Sequence, residues 1–153
     1  MFYREQEHFE IRILDDCLRA VEDKIGTAYL DVSLRNLTKL PVTIIKGGLS
    51  VKVGNAAISR HNVVGFSGIE SSDFRMEIPP HSERTGDLHL TFTSNDCVRL
   101  GLDEYGVTDR SFTFELELYD TLENCYCTKI ENADVYAKGK LLWKVQLKYK
   151  KNH

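Results

Sequence analysis

The sequence predicts an all-β protein of two antiparallel sheets packed as a sandwich, with seven to eight strands and one short helix near residues 16–25. Three observations predict it. Apolar residues recur at every second position in run after run, the runs are short, and turn-forming residues separate them. The alternation is sharpest in SFTFELELYD, where Phe112, Phe114, Leu116 and Leu118 share one face and Thr113, Glu115 and Glu117 the other. Such a strand is greasy on one side and wet on the other.

The same template fits KLLWKVQLKYK, which reads as the longest strand, with Leu141, Trp143, Val145, Leu147 and Tyr149 opposite Lys144, Gln146 and Lys148. Shorter runs follow it at Phe9, Ile11 and Ile13; Leu30, Val32 and Leu34; Leu49, Val51 and Val53; Phe74, Met76 and Ile78; and Leu88, Leu90 and Phe92. Turns are expected at Gly47-Gly48, Gly54-Asn55, Pro79-Pro80, Thr85-Gly86-Asp87, Asn95-Asp96 and Glu131-Asn132, whose residues supply unusual backbone angles or local hydrogen bonds. One segment departs from the period. In DDCLRAVEDKIG, Leu14, Leu18, Val21 and Ile25 fall at helical intervals, with Asp15 or Asp16 as cap and Gly26 as terminator.

The 153 residues fit a single domain spanning 1–153, without an internal repeat or a shift in composition. An apolar share of 42% and a charged share of 28% are those of a chain that builds its own core. A formal net charge of -3 offers no general attraction to nucleic acid or to an anionic membrane, so neither is expected as a partner. The opening MFYREQEHFEIRI carries charges throughout and lacks the apolar run of a secretory signal, so the expected compartment is the cytoplasm. There the four cysteines are free thiols. Asn36-Leu37-Thr38 matches a glycosylation acceptor, which matters only for a secreted chain.

A resemblance rests on AYLDVSLRNLTKLPVTIIKGGLSVKVGNAAI and the later RMEIPPHSERTGDLHLTF, roughly residues 28–92. This rhythm resembles an immunoglobulin-like or fibronectin-like sandwich, and most nearly the water-stress domain of late-embryogenesis-abundant proteins. A strand ends in an Asn36-containing turn before Pro41, and a proline-capped strand follows later. The Cys, Trp, Cys order of antibody domains is absent, because Trp143 follows all four cysteines. The resemblance implies an immunoglobulin-like scaffold or binding role; with no cofactor motif in the chain, no cofactor is expected.

Candidate chemistry is sparse. Cys125 and Cys127 in NCYCTK share a strand face with Lys129, and a tetrahedral metal site would need two more ligands from Cys17, Cys97 or His8, His61, His81, His89 and His153, none of which stands at a metal-binding spacing. A thiol nucleophile would need a base such as His81 or His89 with Asp87. Asp96, Asp103 and Glu104 lie near a Gly-rich turn but miss the calcium-loop spacing. No catalytic or metal residue is therefore assigned.

Two regions stand out for binding. GNAAISRHNVVGFSGIESSD reads as a long loop, the length at which loops carry function, and its Val63, Val64 and Phe66 are candidate anchors. The tail from residue 138 carries six lysines and no acid, with Lys144 and Lys148 on one side of the supposed strand. The expected function is recognition of another protein, or of a second copy, without turnover. The alternatives are a Cys-dependent or metal-assisted enzyme and a carbohydrate-binding sandwich using Trp143.

Overall fold

A computed structural model describes residues 2–3, 8–21, 26–69 and 74–152, the side chains of 2, 3 and 152 excepted. Ten strands follow one another: β1 (Phe2–Tyr3), β2 (Phe9–Ile13), β3 (Cys17–Ala20), β4 (Thr27–Asn36), β5 (Val42–Val53), β6 (Ala56–Phe66), β7 (Met76–Ile78), β8 (Glu83–Thr91), β9 (Phe112–Asp120) and β10 (Asn124–Ala137). Helix α1 (Ser94–Arg99) lies between β8 and β9. A 3-10 turn (Gly139–Leu142) leads into α2 (Trp143–Asn152).

The all-β class expected from the alternation is what forms, but the architecture is a closed barrel and not two separate sheets. Seven strands join in a ring, β3-β4-β8-β6-β5-β9-β10 and back to β3. Closure follows from two long strands that pass from one side of the molecule to the other. β10 pairs antiparallel with β9 through Cys125–Ile130, shifts register before Ala133, and then pairs parallel with β3 through Asp134–Ala137. Asn132 sits at the shift with φ 56, the signature of a bulge that bends a strand. Glu131-Asn132 thus marks a kink inside β10 and not the expected turn. β6 does the same on the opposite side, pairing with β5 through Ala56–Asn62 and with β8 through Val63–Phe66.

The barrel is filled by the rows that the period identified. Phe112, Phe114, Leu116 and Leu118 of β9 face Leu30, Val32 and Leu34 of β4, Leu49 and Val51 of β5, and Leu88 and Leu90 of β8 in one buried cluster. Two further expected turns lie inside strands for a steric reason. Gly48 of β5 is where the Arg60 guanidinium crosses, and a Cβ there would stand 2.5 Å from it. Gly86 of β8 lies against Phe66, whose ring leaves 3.0 Å for a Cβ. Glycine here signals close approach instead of a bend.

Three expected elements are corrected. Residues 17–20 of the supposed helix form β3, with Leu18 and Ala20 buried and Cys17 and Arg19 outward, so period two prevails; residues 22–25 lie outside the described residues. Most of the long loop, residues 56–66, is the 11-residue strand β6, and its end at 70–73 also lies outside them. The supposed longest strand is helical. Its buried residues Leu141, Leu142 and Val145, with half-buried Tyr149, fall at helical intervals, and its lysines, glutamine and leucines are good helix formers.

Candidate binding surface

Both helices sit at one end of the barrel. α1 starts because Thr93 and Asp96 cap each other: the Thr93 hydroxyl accepts from the Asp96 N–H, and the Asp96 carboxylate accepts from the Thr93 N–H at 2.8 Å. The loop to β9 is pinned where the Ala137 N–H donates to the Gly106 carbonyl at 3.0 Å, just ahead of the 3-10 turn. The 3-10 turn and α2 then cover this end with Leu141, Leu142 and Val145. Lys144 reaches α1 and donates to the Asn95 side chain at 2.7 Å.

The opposite face of α2 is left bare. Trp143 and Leu147, one turn apart, are 63% and 42% exposed. Around the helix Lys150 flanks this pair on one side, and Lys144, Lys151 and Lys148 on the other. Val98 of α1 and Tyr105 and Val107 of the following loop are also exposed at this end. Of the residues picked out from the sequence, Lys144 and Lys148 therefore fall on one surface, but on a helix. Trp143 entered only as the contact of the carbohydrate-binding alternative and Leu147 not at all, because the period-two reading turned both inward.

β6 separates the other candidates. Phe66 is 2% exposed and Val63 is buried, both in the core, while Val64 on the outer face is 44% exposed. Burial takes the Phe66 side chain out of reach of a partner, while Val63 shows only a 7% edge, at the depression on the outer face.

The outer face of β5, β6, β9 and β10 carries an open depression of about 400 Å³ lined by Lys46, Gly47, Arg60, Asn62, Val63 and Tyr119. Its charges largely satisfy one another. Lys52 pairs with Glu115 at 2.9 Å, the Tyr119 hydroxyl donates to Glu117 at 2.9 Å, and the Lys46 ammonium lies 5.2 Å from the centre of the Tyr119 ring. Beside it the Cys125 and Cys127 sulfurs are 3.3 Å apart, and all four cysteines are free. Burial, then the Cys125 thiol, pushes Cys127 up to about 12, and burial pushes Cys97 up to about 11. Burial and the neighbouring Asp15 and Asp134 raise Cys17 as well. A nucleophilic or metal-binding thiol needs the opposite shift.

A buried cluster escaped sequence reasoning altogether. Ser59 and His61, two apart on the inner face of β6, meet Thr91 and Asp96 beneath α1. The Thr91 carbonyl can only accept, so His61 Nδ1 carries the proton that it donates at 2.8 Å. Nε2 is then the acceptor for the Ser59 hydroxyl at 2.7 Å. This tautomer is the one that activates a serine, but His61 is fully buried and Ser59 is 5% exposed, so a substrate would have to displace β6 or α1. The Asp96 carboxylate stands 3.9 Å from Nδ1, occupied by its helix cap. The chemistry left to the cluster is structural: it ties β6 to β8 beneath α1.

The remaining candidates dissolve. Asp103 accepts from the Tyr105 and Val107 N–H groups of its own loop. Among the described residues no group of three or more His, Cys, Asp or Glu could hold a metal ion. Asn36 is fully buried; its amide donates to the Leu40, Ile78 and Pro79 carbonyls, which removes it as a glycosylation acceptor. No described helix is long and apolar enough to cross a membrane.

No family model and no curated protein matches the chain. Solved structures do. Spo0M, a sporulation control protein from Bacillus subtilis, is 12% identical with a TM-score of 0.44, over 94% of this chain and 54% of that one. The seventh PapD-like domain of human CEP192 is 13% identical with a TM-score of 0.36, over 86% and 87% of the two chains. The periplasmic chaperone SfaE is 7% identical with a TM-score of 0.37, over 85% and 57%. The chain thus spans about half the length of Spo0M and SfaE. The expected water-stress domain is not among these three. Likeness this distant leaves the fold to rest on the strand pairing and any role on the chain's own surface, which is an all-β barrel bearing a lysine-ringed aromatic helix at one end.

Proposed function

We propose that this chain is a protein-recognition module without turnover, and that it binds through the helical end of the barrel. One observation carries the reading: Trp143, the single tryptophan of the chain, stands 63% exposed beside Leu147 on a helix whose other face is anchored in the core. Large aromatics on rigid elements supply much contact area for little lost freedom, which makes them the usual energetic centre of protein interfaces. Two facts favour recognition over the enzymatic alternative. The Cys17, Cys97 and Cys127 thiols are raised and not lowered, and the Ser59–His61 pair is enclosed.

The test is retention of partners from native extract on the immobilised chain, compared with Trp143→Ala and with Val64→Ala on the outer face of β6. Recognition at the helical end predicts that proteins held by the parent chain are lost with the first variant and kept with the second, at unchanged melting temperature. Equal retention by all three overturns the reading. A small molecule that co-purifies and is consumed would move the chain to the enzymes.

A further inference from the structure

We infer that the outward face of α2 receives an acidic segment of a partner protein, whose apolar side chains seat on Trp143 and Leu147. This rests on the recognition reading above and names the chemistry of the partner. Charge separation is the first ground. Residues 138 to 153 hold six lysines and no acid, while the 14 other Lys and Arg are set against all 23 Asp and Glu, a balance of -9. A neutral or basic partner gains nothing from a cationic helix on an acidic body; an acidic one is steered to it.

Arrangement is the second ground. Lys144, Lys148, Lys150 and Lys151 border the Trp143–Leu147 pair, and Lys144 is held at the rim by Asn95, so less side-chain freedom is lost when it meets a carboxylate. Lysines are mobile point charges, suited to a run of carboxylates more than to one phosphate, which arginine grips in its planar fork. The ten residues of α2 present a face about 15 Å long, the reach of a short peptide segment.

Neighbouring charge separates a peptide from a membrane. Glu104 and Asp109 lie in the loop that follows α1 at this same end, the loop that Gly106 ties to Ala137. A flat anionic bilayer covering the end would meet these carboxylates, with Arg99 and Arg110 of the same segment, together with the lysines, whereas a single segment runs along α2 alone.

Trp143 emission reads the test directly, because no other tryptophan contributes. The full chain is titrated with a helical peptide of glutamates carrying leucines one turn apart, with its counterpart in which lysines replace the glutamates, and with phosphatidylcholine–phosphatidylserine vesicles. The expected result is a saturable blue shift with the acidic peptide only, weakened by added salt and roughly tenfold weaker in Lys144→Glu/Lys148→Glu. A shift with vesicles and not with the peptide assigns the face to a membrane and overturns the inference. A shift that grows with protein concentration alone assigns it to a second copy, with the same consequence. Equal binding of both peptides, or of neither, also ends it. In that last case loss of extract partners in Trp143→Ala would still uphold recognition, so the two failures are distinct.

Discussion

His61 is a fully buried titratable group beneath the helical end. Burial lowers its proton affinity below the usual value near 6.5, and the opposing pulls of the Thr91 carbonyl and Asp96 do not restore it. The unfolded chain therefore takes up a proton that the native state refuses. Stability is full above about pH 6.5 and falls as pH drops below it toward the lowered native value. Urea midpoints should decline between about pH 7 and pH 5.5, and the decline should flatten in Ser59→Ala/His61→Phe, which keeps the ring against Phe92 without the titrating group. Ser59→Ala alone leaves Nε2 buried and unpaired and should cost about 1–3 kcal/mol. The thiols give a second prediction at this scale. With Cys127 and Cys97 raised and Cys125 buried, a maleimide at neutral pH should label the native protein slowly and all four cysteines only after denaturation. One thiol reacting far faster than the rest would reopen the enzymatic alternative. None of the His61 cluster was legible in the sequence, since Ser59 and Asp96 are 37 positions apart in a chain rich in serine and acid. The one available signal was polar residues on the inward face of an alternating strand.

Elements were legible where one physical period had no competitor. β9 runs inward at Phe112, Phe114, Leu116 and Leu118 as its alternation requires, because every odd position between them is charged or polar. β3 and α2 failed for reciprocal reasons. Four residues of β3 are too few to show a period, so Leu14 and Leu18 mimicked a helix. In the 3-10 turn and α2 the apolar residues at 141, 143, 145, 147 and 149 alternate by composition, while those that pack are Leu141, Leu142, Val145 and Tyr149. Two adjacent leucines break an alternation and fit a helix; that was the discriminating pair. The consequence is measurable. Leu142→Ala should cost about 2–5 kcal/mol by opening a cavity under α2, whereas Trp143→Ala should change stability by less than about 0.5 kcal/mol. Thermal or denaturant melts of the two variants decide it, and the reverse order would restore the strand with Trp143 in the core. The glycines misled in the same way, since Gly48 and Gly86 were read as turns when each makes room for a crossing side chain.

At the scale of the molecule the distinction that sequence could not make is between two facing sheets and a ring. Both bury the same alternating rows. Only the joints differ, and here each joint is a strand that changes partners, β6 on one side and β10 on the other. β3, with four residues, is the shortest strand of the ring. β3 contributes four residues to a parallel ladder with Asp134–Ala137 and, among the described residues, pairs with β4 at Arg19 and Tyr29, while β5 and β9 share eight registered pairs. Parallel pairing is also slightly weaker per residue. The ring should therefore open at β3 before it opens elsewhere. Leu18, fully buried, is the larger of the two inward side chains of β3, and Leu18→Ala should cost about 2–5 kcal/mol. Leu116→Ala, in the middle of β9, should cost a similar amount. Native-state amide exchange separates the two. In Leu18→Ala the amides of 17–20 and 134–137 should lose protection by sub-global opening while those of β5 and β9 still exchange only through global unfolding. In Leu116→Ala protection should fall throughout. Because Lys138 donates from its N–H to the Ala20 carbonyl at 2.9 Å, opening β3 also loosens the chain that leads into α2. Weaker peptide binding in Leu18→Ala, at a temperature where the protein remains folded, would then show that the seam of the barrel sets the rigidity of the surface it carries, whereas uniform exchange in both variants would make the ring a single cooperative unit.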